Sequence, residues 1–202
     1  MTHTTEPCSA RPPGRPRSER ADKAIVDATL DLLAEEGGVA GVSIEAVAAR
    51  AGVGKTTIYR RWPNKEALII DALAALKEPL PEPRGESVRE DLIALARAFV
   101  ADKSDKKRVD CYWSVSGSAE RYPELMGRFT REIIEPRREV MREVLRRGVA
   151  TGELRPDLDV ELTLWMLTGS ITHRTRAADA GPVPEDFSER VVDALLAGLA
   201  PR

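Results

Sequence analysis

The chain has 202 residues, 42% apolar and 32% charged, with 31 lysines and arginines against 33 aspartates and glutamates for a net charge of −2. Such proportions fit a soluble globular protein of one large domain or two small ones, and the absence of any long apolar run or signal-like N-terminus excludes a membrane-spanning or secreted reading, so a cytoplasmic location is expected. Cys8 and Cys111 are too few for a disulfide framework, and His3 and His173 form no cluster with metal-ligand spacing, so no cofactor, metal site or enzymatic centre is expected.

Residues 1–17 hold Pro7, Pro12, Pro13 and Pro16 without apolar periodicity and read as a disordered arm. Its end, RPPGRPR, places Arg11, Arg15 and Arg17 beside glycine and prolines; such a segment can lie along a DNA groove or along phosphates, and it equally fits a solvated tail. Ala21, Ile25, Ala28 and Leu32 then recur on one face, predicting a first helix from Ser18 to Glu36, stopped by Gly37-Gly38. A second helix is predicted after Ser43, a good N-cap with Glu45 in the first turn; Ile44, Val47, Ala48 and Ala51 form its apolar stripe. Gly52 ends it where a left-handed residue costs least, Val53 re-enters the core, and a next short helix carries Ile58 inward.

Two short helices with a small residue, Ala48, four before the turn glycine make a helix-turn-helix. The outer face of the second would carry Lys55, Thr56, Thr57, Tyr59 and Arg60, and residues 50–65 hold five basic side chains and no acidic one. Hydroxyls, a tyrosine and clustered positive charge suit phosphates and base edges. GVGKTT also looks like a phosphate-binding loop, but that motif needs glycine at Ala49 and a preceding strand, and an amphipathic helix precedes it instead.

The stretch GVGKTTIYRRWPNKEALI closely resembles the end of the DNA-binding domain of the TetR family of bacterial transcriptional regulators, whose pattern is G-V-S-K-x-T-[LI]-Y-x-x-[FW]-x-[SN]-K-E-x-L. Gly54 stands where serine is usual and Thr56 where glycine is common, both where bases are read. The resemblance implies an all-α protein of about nine helices, with a three-helix DNA-binding domain over 18–63, a connecting helix over 64–77 and a ligand-binding and dimerisation bundle over 78–202. It also implies a homodimeric, ligand-released repressor on a palindromic double-stranded operator. Arg15, Arg17, Ser43, Lys55, Thr56, Thr57, Tyr59, Arg60 and Lys65 form the expected DNA-binding set; Thr56 and Thr57 are best placed for bases. Lys65 is expected to face outward onto the DNA backbone, and Trp62 to sit in the small domain's core.

Asn64 is read as the cap of a fourth helix running through Leu76, and KEPLPEPRGE (77–86) as a proline-rich break. Ser87 and Glu90 form a capping box for the next helix; a charged loop is expected at 102–110, then a helix around Cys111–Ala119 and another from Pro123 that Pro136 breaks or kinks. TGELRPDLD is a turn, Asp159 caps a helix through Arg176, and a last helix runs from Pro184 to about Leu199. Leu162, Trp165, Met166, Gly169 and His173 share one helical face, and Trp113, Met126, Phe129 and Ile133 supply bulk from earlier helices. Trp113, Met126, Phe129, Ile133, Trp165, Met166 and His173 are therefore candidates for lining a pocket for a mostly apolar effector, although each also fits plain core filling. The last two helices are expected to pair with their copies. An activator, a regulator without a ligand, or a helical ligand-binding or enzymatic protein with an incidental helix-turn-helix are the alternatives.

Overall fold

A computed structural model of the chain describes residues 16–35, 38–176 and 181–199, and those residues form helices and connections with no strand. The helices are α1 (Pro16–Ala34), α2 (Ile44–Ala51), α3 (Lys55–Tyr59), α4 (Lys65–Ala75), α5 (Val88–Ser104), α6 (Lys106–Ser116), α7 (Pro123–Phe129), α8 (Glu135–Thr151), α9 (Val160–Arg176) and α10 (Phe187–Leu199). A π-helical turn, Thr130–Ile134, joins α7 to α8, so 123–151 is one continuous rod and the described residues contain nine helices on that count. No helix among them is long and apolar enough to cross a membrane.

The helix boundaries follow local chemistry. Pro16 opens α1, two residues earlier than expected, because a proline is tolerated in a first turn where its missing N–H has no partner to lose. Ser43 caps α2 by accepting from the Ala46 N–H (3.1 Å), and Gly52 ends it at φ 65°, the left-handed conformation that favours glycine. Asn64 caps α4 by accepting from the Ala67 N–H (2.8 Å), and Ser87 caps α5 through the Glu90 N–H.

Three expectations are corrected. The charged stretch 102–110 is helical rather than a loop: α5 runs on to Ser104 and Asp105 alone separates it from α6, whose start it caps by accepting from the Arg108 N–H (2.8 Å). Pro136 does not break the rod. Its missing N–H falls just after the π turn, where the Glu135 N–H already reaches back to the Thr130 carbonyl, so the helix widens by one residue instead of ending. The last helix starts at Phe187, later than Pro184.

Buried side chains gather in two cores, and the cores do not follow chain order. The first holds Ile25, Leu33, Val47, Ile58, Leu68 and Ile69 from α1–α4 together with Cys111 and Val115 of α6, Leu125 and Phe129 of α7, and Ile133. Polar contacts reinforce it: the Cys111 thiol lies 3.5 Å from the Leu30 carbonyl, the Ser114 hydroxyl donates to the Leu33 carbonyl (2.9 Å), and Lys107 pairs with Asp31 (2.6 Å). The second core is built by α5, α8, α9 and α10, around Leu92, Leu95, Met141, Leu145, Leu164 and Val192. Gly148 lets α8 approach the segment after it, because a Cβ there would sit 2.8 Å from both Leu154 and Val88.

Candidate nucleic-acid interface

The sequence Ser43–Lys65 forms the tight bihelical unit that its glycine turn and apolar spacing dictate. Ile44, Val47, Ala48 and Ile58 are buried in the first core, and Trp62 is buried with them, its indole N–H donating to Asp71 (2.7 Å). This packing fixes α3, which is only five residues long and would not persist alone. Lys55, Thr56, Tyr59 and Arg60 stand exposed on it, Tyr59 at 53%, while Thr57 is half-buried.

The basic run is not free positive charge. Lys55 pairs with Glu45 across the turn (3.0 Å) and Arg50 with Glu35 (2.8 Å); Arg61 pairs with Asp22 and also donates to the Thr57 carbonyl (3.0 Å). The hydrogen bond between Lys55 and Glu45 raises the lysine pKa and lowers that of the glutamate, so both stay charged. Arg60 has no acidic partner among the described residues. Glu35 and Glu45 lie outside residues 50–65 in sequence, and the fold brings them in from the end of α1 and the first turn of α2; the helix-turn-helix spacing is the signal that Glu45 faces α3.

Lys65 is corrected. Its ammonium turns inward, donating to the Val39 and Val42 carbonyls (3.3 Å each) and lying 5.4 Å from the centre of the Tyr122 ring. Those carbonyls belong to the middle of the short 3₁₀ turn Gly38–Ala40 and to the loop residue before the Ser43 cap, where no α-helix supplies them with donors. Beside it a shallow groove of about 450 Å3 opens between the N-termini of α2 and α4, with Ser43, Tyr59 and Asn64 on its walls. Two helix N-termini facing one groove give it positive dipole ends, which favour an anion, while the Glu45 carboxylate on the same wall opposes one until it is offset by Lys55.

The other candidates divide. Arg15 lies outside the described residues, and so does the Arg17 side chain. Phe129 and Ile133 are buried in the first core, with Met126 half-buried beside them; Trp113 is half-buried, 5.0 Å centre to centre from Tyr112 and under the Arg176 guanidinium at 4.2 Å. Trp165 and Met166 do not join them. They are 55% and 52% exposed, with Leu162 at 56%, because α9 turns Leu164, Leu167 and Ile171 inward and this face outward. His173 is exposed too, and Arg138 stacks 4.3 Å from the Trp165 ring centre. The structure therefore brings three of the seven candidates, Met126, Phe129 and Ile133, together in the first core, leaves Trp113 half-buried between Tyr112 and Arg176, and sets Trp165, Met166 and His173 on the outside of α9.

The arrangement has relatives. Residues 25–72 match the family described as "Bacterial regulatory proteins, tetR family", and residues 82–195 match "Tetracyclin repressor-like, C-terminal domain". The HTH-type transcriptional regulator YdeS of Bacillus subtilis is 33% identical over 162 residues, 80% of this chain and 81% of YdeS. The DNA-binding transcriptional repressor TetR of Mycobacteroides abscessus is 30% identical over 184 residues, 89% of this chain and 94% of its own length. Among solved structures, the TetR family transcription regulator SCO0332 superimposes with a TM-score of 0.65 at 32% identity, over 90% of this chain and all of that one. With both halves of the chain matched and a bihelical unit presenting Thr56, Tyr59 and Arg60 to solvent, the protein belongs to the TetR family and is a DNA-binding transcriptional regulator.

Proposed function

We propose that the protein is a homodimeric repressor that holds a palindromic operator and is released by a small molecule. The observation that carries this reading is the exposed face of α3, with Thr56, Tyr59 and Arg60 beside the groove between two capped helix N-termini. In it, α3 lies in the major groove, Thr56 and Thr57 meet base edges, and Tyr59, Arg60 and the groove at Ser43 and Asn64 hold phosphates. Lys55 joins them once it leaves Glu45; Arg15 and Arg17 extend the contact along the duplex. Lys65 serves the site from within, by fixing the loop ahead of α2.

Two such heads need a partner, and α9 offers the surface. Leu162, Trp165 and Met166 form an exposed apolar stripe of the kind a monomer rarely leaves uncovered. A Cβ at Gly169 would meet no neighbouring side chain within 4 Å, so that position is open to a second copy's helix. A repressor role follows the name of the Mycobacteroides abscessus relative. The effector is assigned to the side of α6 and α7, where Met126 is half-buried against Phe129 and Ile133 and Trp113 is half-buried on α6. It would be mostly apolar, and it releases DNA only by favouring the arrangement in which the heads no longer match the two grooves.

The test is selection of bound fragments from genomic DNA, followed by a salt titration of those recovered. A palindrome bound with a steep salt slope supports the reading. No enrichment over random duplex refutes operator binding, and a monomeric mass at micromolar concentration refutes the dimer.

A further inference from the structure

The seam between the two cores is crossed by the chain three times: after α4, at Asp105 between α5 and α6, and through the π turn between α7 and α8. At that seam lies a buried ion cluster. Asp102, in the last turn of α5, is 4% exposed and accepts from Lys77 (3.5 Å), Arg108 (3.1 Å) and Arg137 (2.6 Å). Lys77 follows the end of α4 and Arg108 lies on α6, both on the side of the first core. Asp102 and Arg137 lie on α5 and α8, on the side of the second. Glu78 completes the cluster, its carboxylate accepting from Arg108 (2.7 Å) and its carbonyl from Arg137 (2.8 Å). Arg137 directly follows Pro136 and the π turn, and its guanidinium lies over the Phe99 ring of the second core.

A cluster of this kind is a poor glue. Taking four charges out of water costs much of what their attraction returns, and apolar packing would hold the seam at least as firmly. Burial accordingly lowers the pKa of Lys77 and of Arg137 despite the carboxylate beside them. What an ion cluster supplies is geometry: its hydrogen bonds are satisfied in one arrangement and lost in its neighbours. A π turn with a proline behind it is where a long helix bends.

We infer that the seam is a hinge, with the π turn before Pro136 as its pivot and the Asp102 cluster as its clasp, and that Asp102 is a positioning residue that sets the angle at which α4 presents α3. The half-site spacing the dimer accepts is then decided outside the recognition helix, which ends at Tyr59, at Lys77, Asp102, Arg108 and Arg137. That last consequence rests on the operator-binding reading above; the hinge itself does not.

The test uses the full chain with dyes at Ala49→Cys on α2 and Glu143→Cys on α8, both exposed positions, in a Cys8→Ser background that leaves Cys111 buried. Labelled protein is mixed with excess unlabelled protein so that a dimer carries one labelled chain, and energy transfer is read from single molecules without DNA. Lys77→Gln and Asp102→Asn are compared with the parent. Lys77→Gln leaves Asp102 satisfied by two arginines, so it folds and melts near the parent temperature even if Asp102→Asn does not fold. The expected result is one narrow transfer distribution in the parent and a shifted or broadened one in the variants. In parallel, the preference between operators whose half-sites differ by one base pair changes by roughly tenfold, as a coupling between distant sites does. An unchanged distribution for Lys77→Gln overturns the hinge, and an unchanged spacing preference overturns its role in operator choice. If the parent selects no duplex at all, the operator reading fails while the transfer measurement still judges the hinge.

Discussion

Replacing Lys65 by methionine separates two roles that the same residue type fills in DNA-binding proteins. The substitution keeps most of the side chain's volume and removes the ammonium that donates to the Val39 and Val42 carbonyls and faces the Tyr122 ring. A charge-assisted hydrogen bond contributes about 1.5–3 kcal/mol. At 3.3 Å and half-buried, each of these two lies at or below the lower end, and the contact with Tyr122 adds about 0.5 kcal/mol. The expected loss is therefore about 2–3 kcal/mol, which for a chain of this length lowers the melting temperature by about 5–10 °C. Calorimetry of the free protein measures it, and a salt titration of DNA binding measures the other role. A phosphate lysine would instead leave the melting temperature in place and flatten the salt slope by roughly one unit. That second result would refute the inward clamp.

Other expectations follow from single contacts. Gly148→Ala gains about 1 kcal/mol of helix propensity but drives a methyl group to 2.8 Å from Leu154 and Val88, both buried, and overpacking of that kind costs about 1–3 kcal/mol. Val88 is β-branched and stiff, so the net is a loss of about 1 kcal/mol, seen as a lower urea midpoint at unchanged slope; a higher midpoint contradicts the packing. Glu45→Gln releases Lys55 and removes a negative charge beside α3, so in the proposed binding mode DNA binding tightens and its salt slope steepens; weaker binding would mean that Glu45 itself touches the DNA. Burial pushes the Cys111 thiol up to about 11, above its unfolded value, so the unfolded chain loses that proton first. Stability from this group is intact below about pH 9 and falls as pH rises towards 11, a decline that Cys111→Ala, compared with the parent in the same buffers, should remove.

The helix-turn-helix was legible because its signals are local. The Ser43 cap, the Gly52 turn and the spacing of Ile44, Val47, Ala48 and Ile58 each act within a few residues, and the structure keeps all of them. What was illegible depends on which partner a side chain finds across the fold. The outer stripe of α9 and its inner one are both apolar, so periodicity alone could not tell that Leu164 and Leu167 face the core while Trp165 and Met166 face water. Lys65 reads as a surface cation until the Val39 and Val42 carbonyls are placed beside it. The loop expected at 102–110 failed for a related reason: its charges are those of a solvated turn, yet Asp102, Lys107 and Arg108 are paired with residues 25 to 76 positions away as well as with near neighbours.

The continuity of the first core bears on any attempt to build chimeric regulators. A recombinant joining this reading head to a foreign sensor at residue 77 would leave behind Cys111, Val115, Leu125, Phe129 and Ile133, and would expose the faces of α1 and α4 that they cover. Each large apolar side chain so uncovered forfeits about 1.5–3 kcal/mol, enough in sum to consume the margin of a small domain. A graft that keeps this reading head folded therefore has to import equivalents of α6 and α7 with it, or repaint the exposed helices with polar residues first.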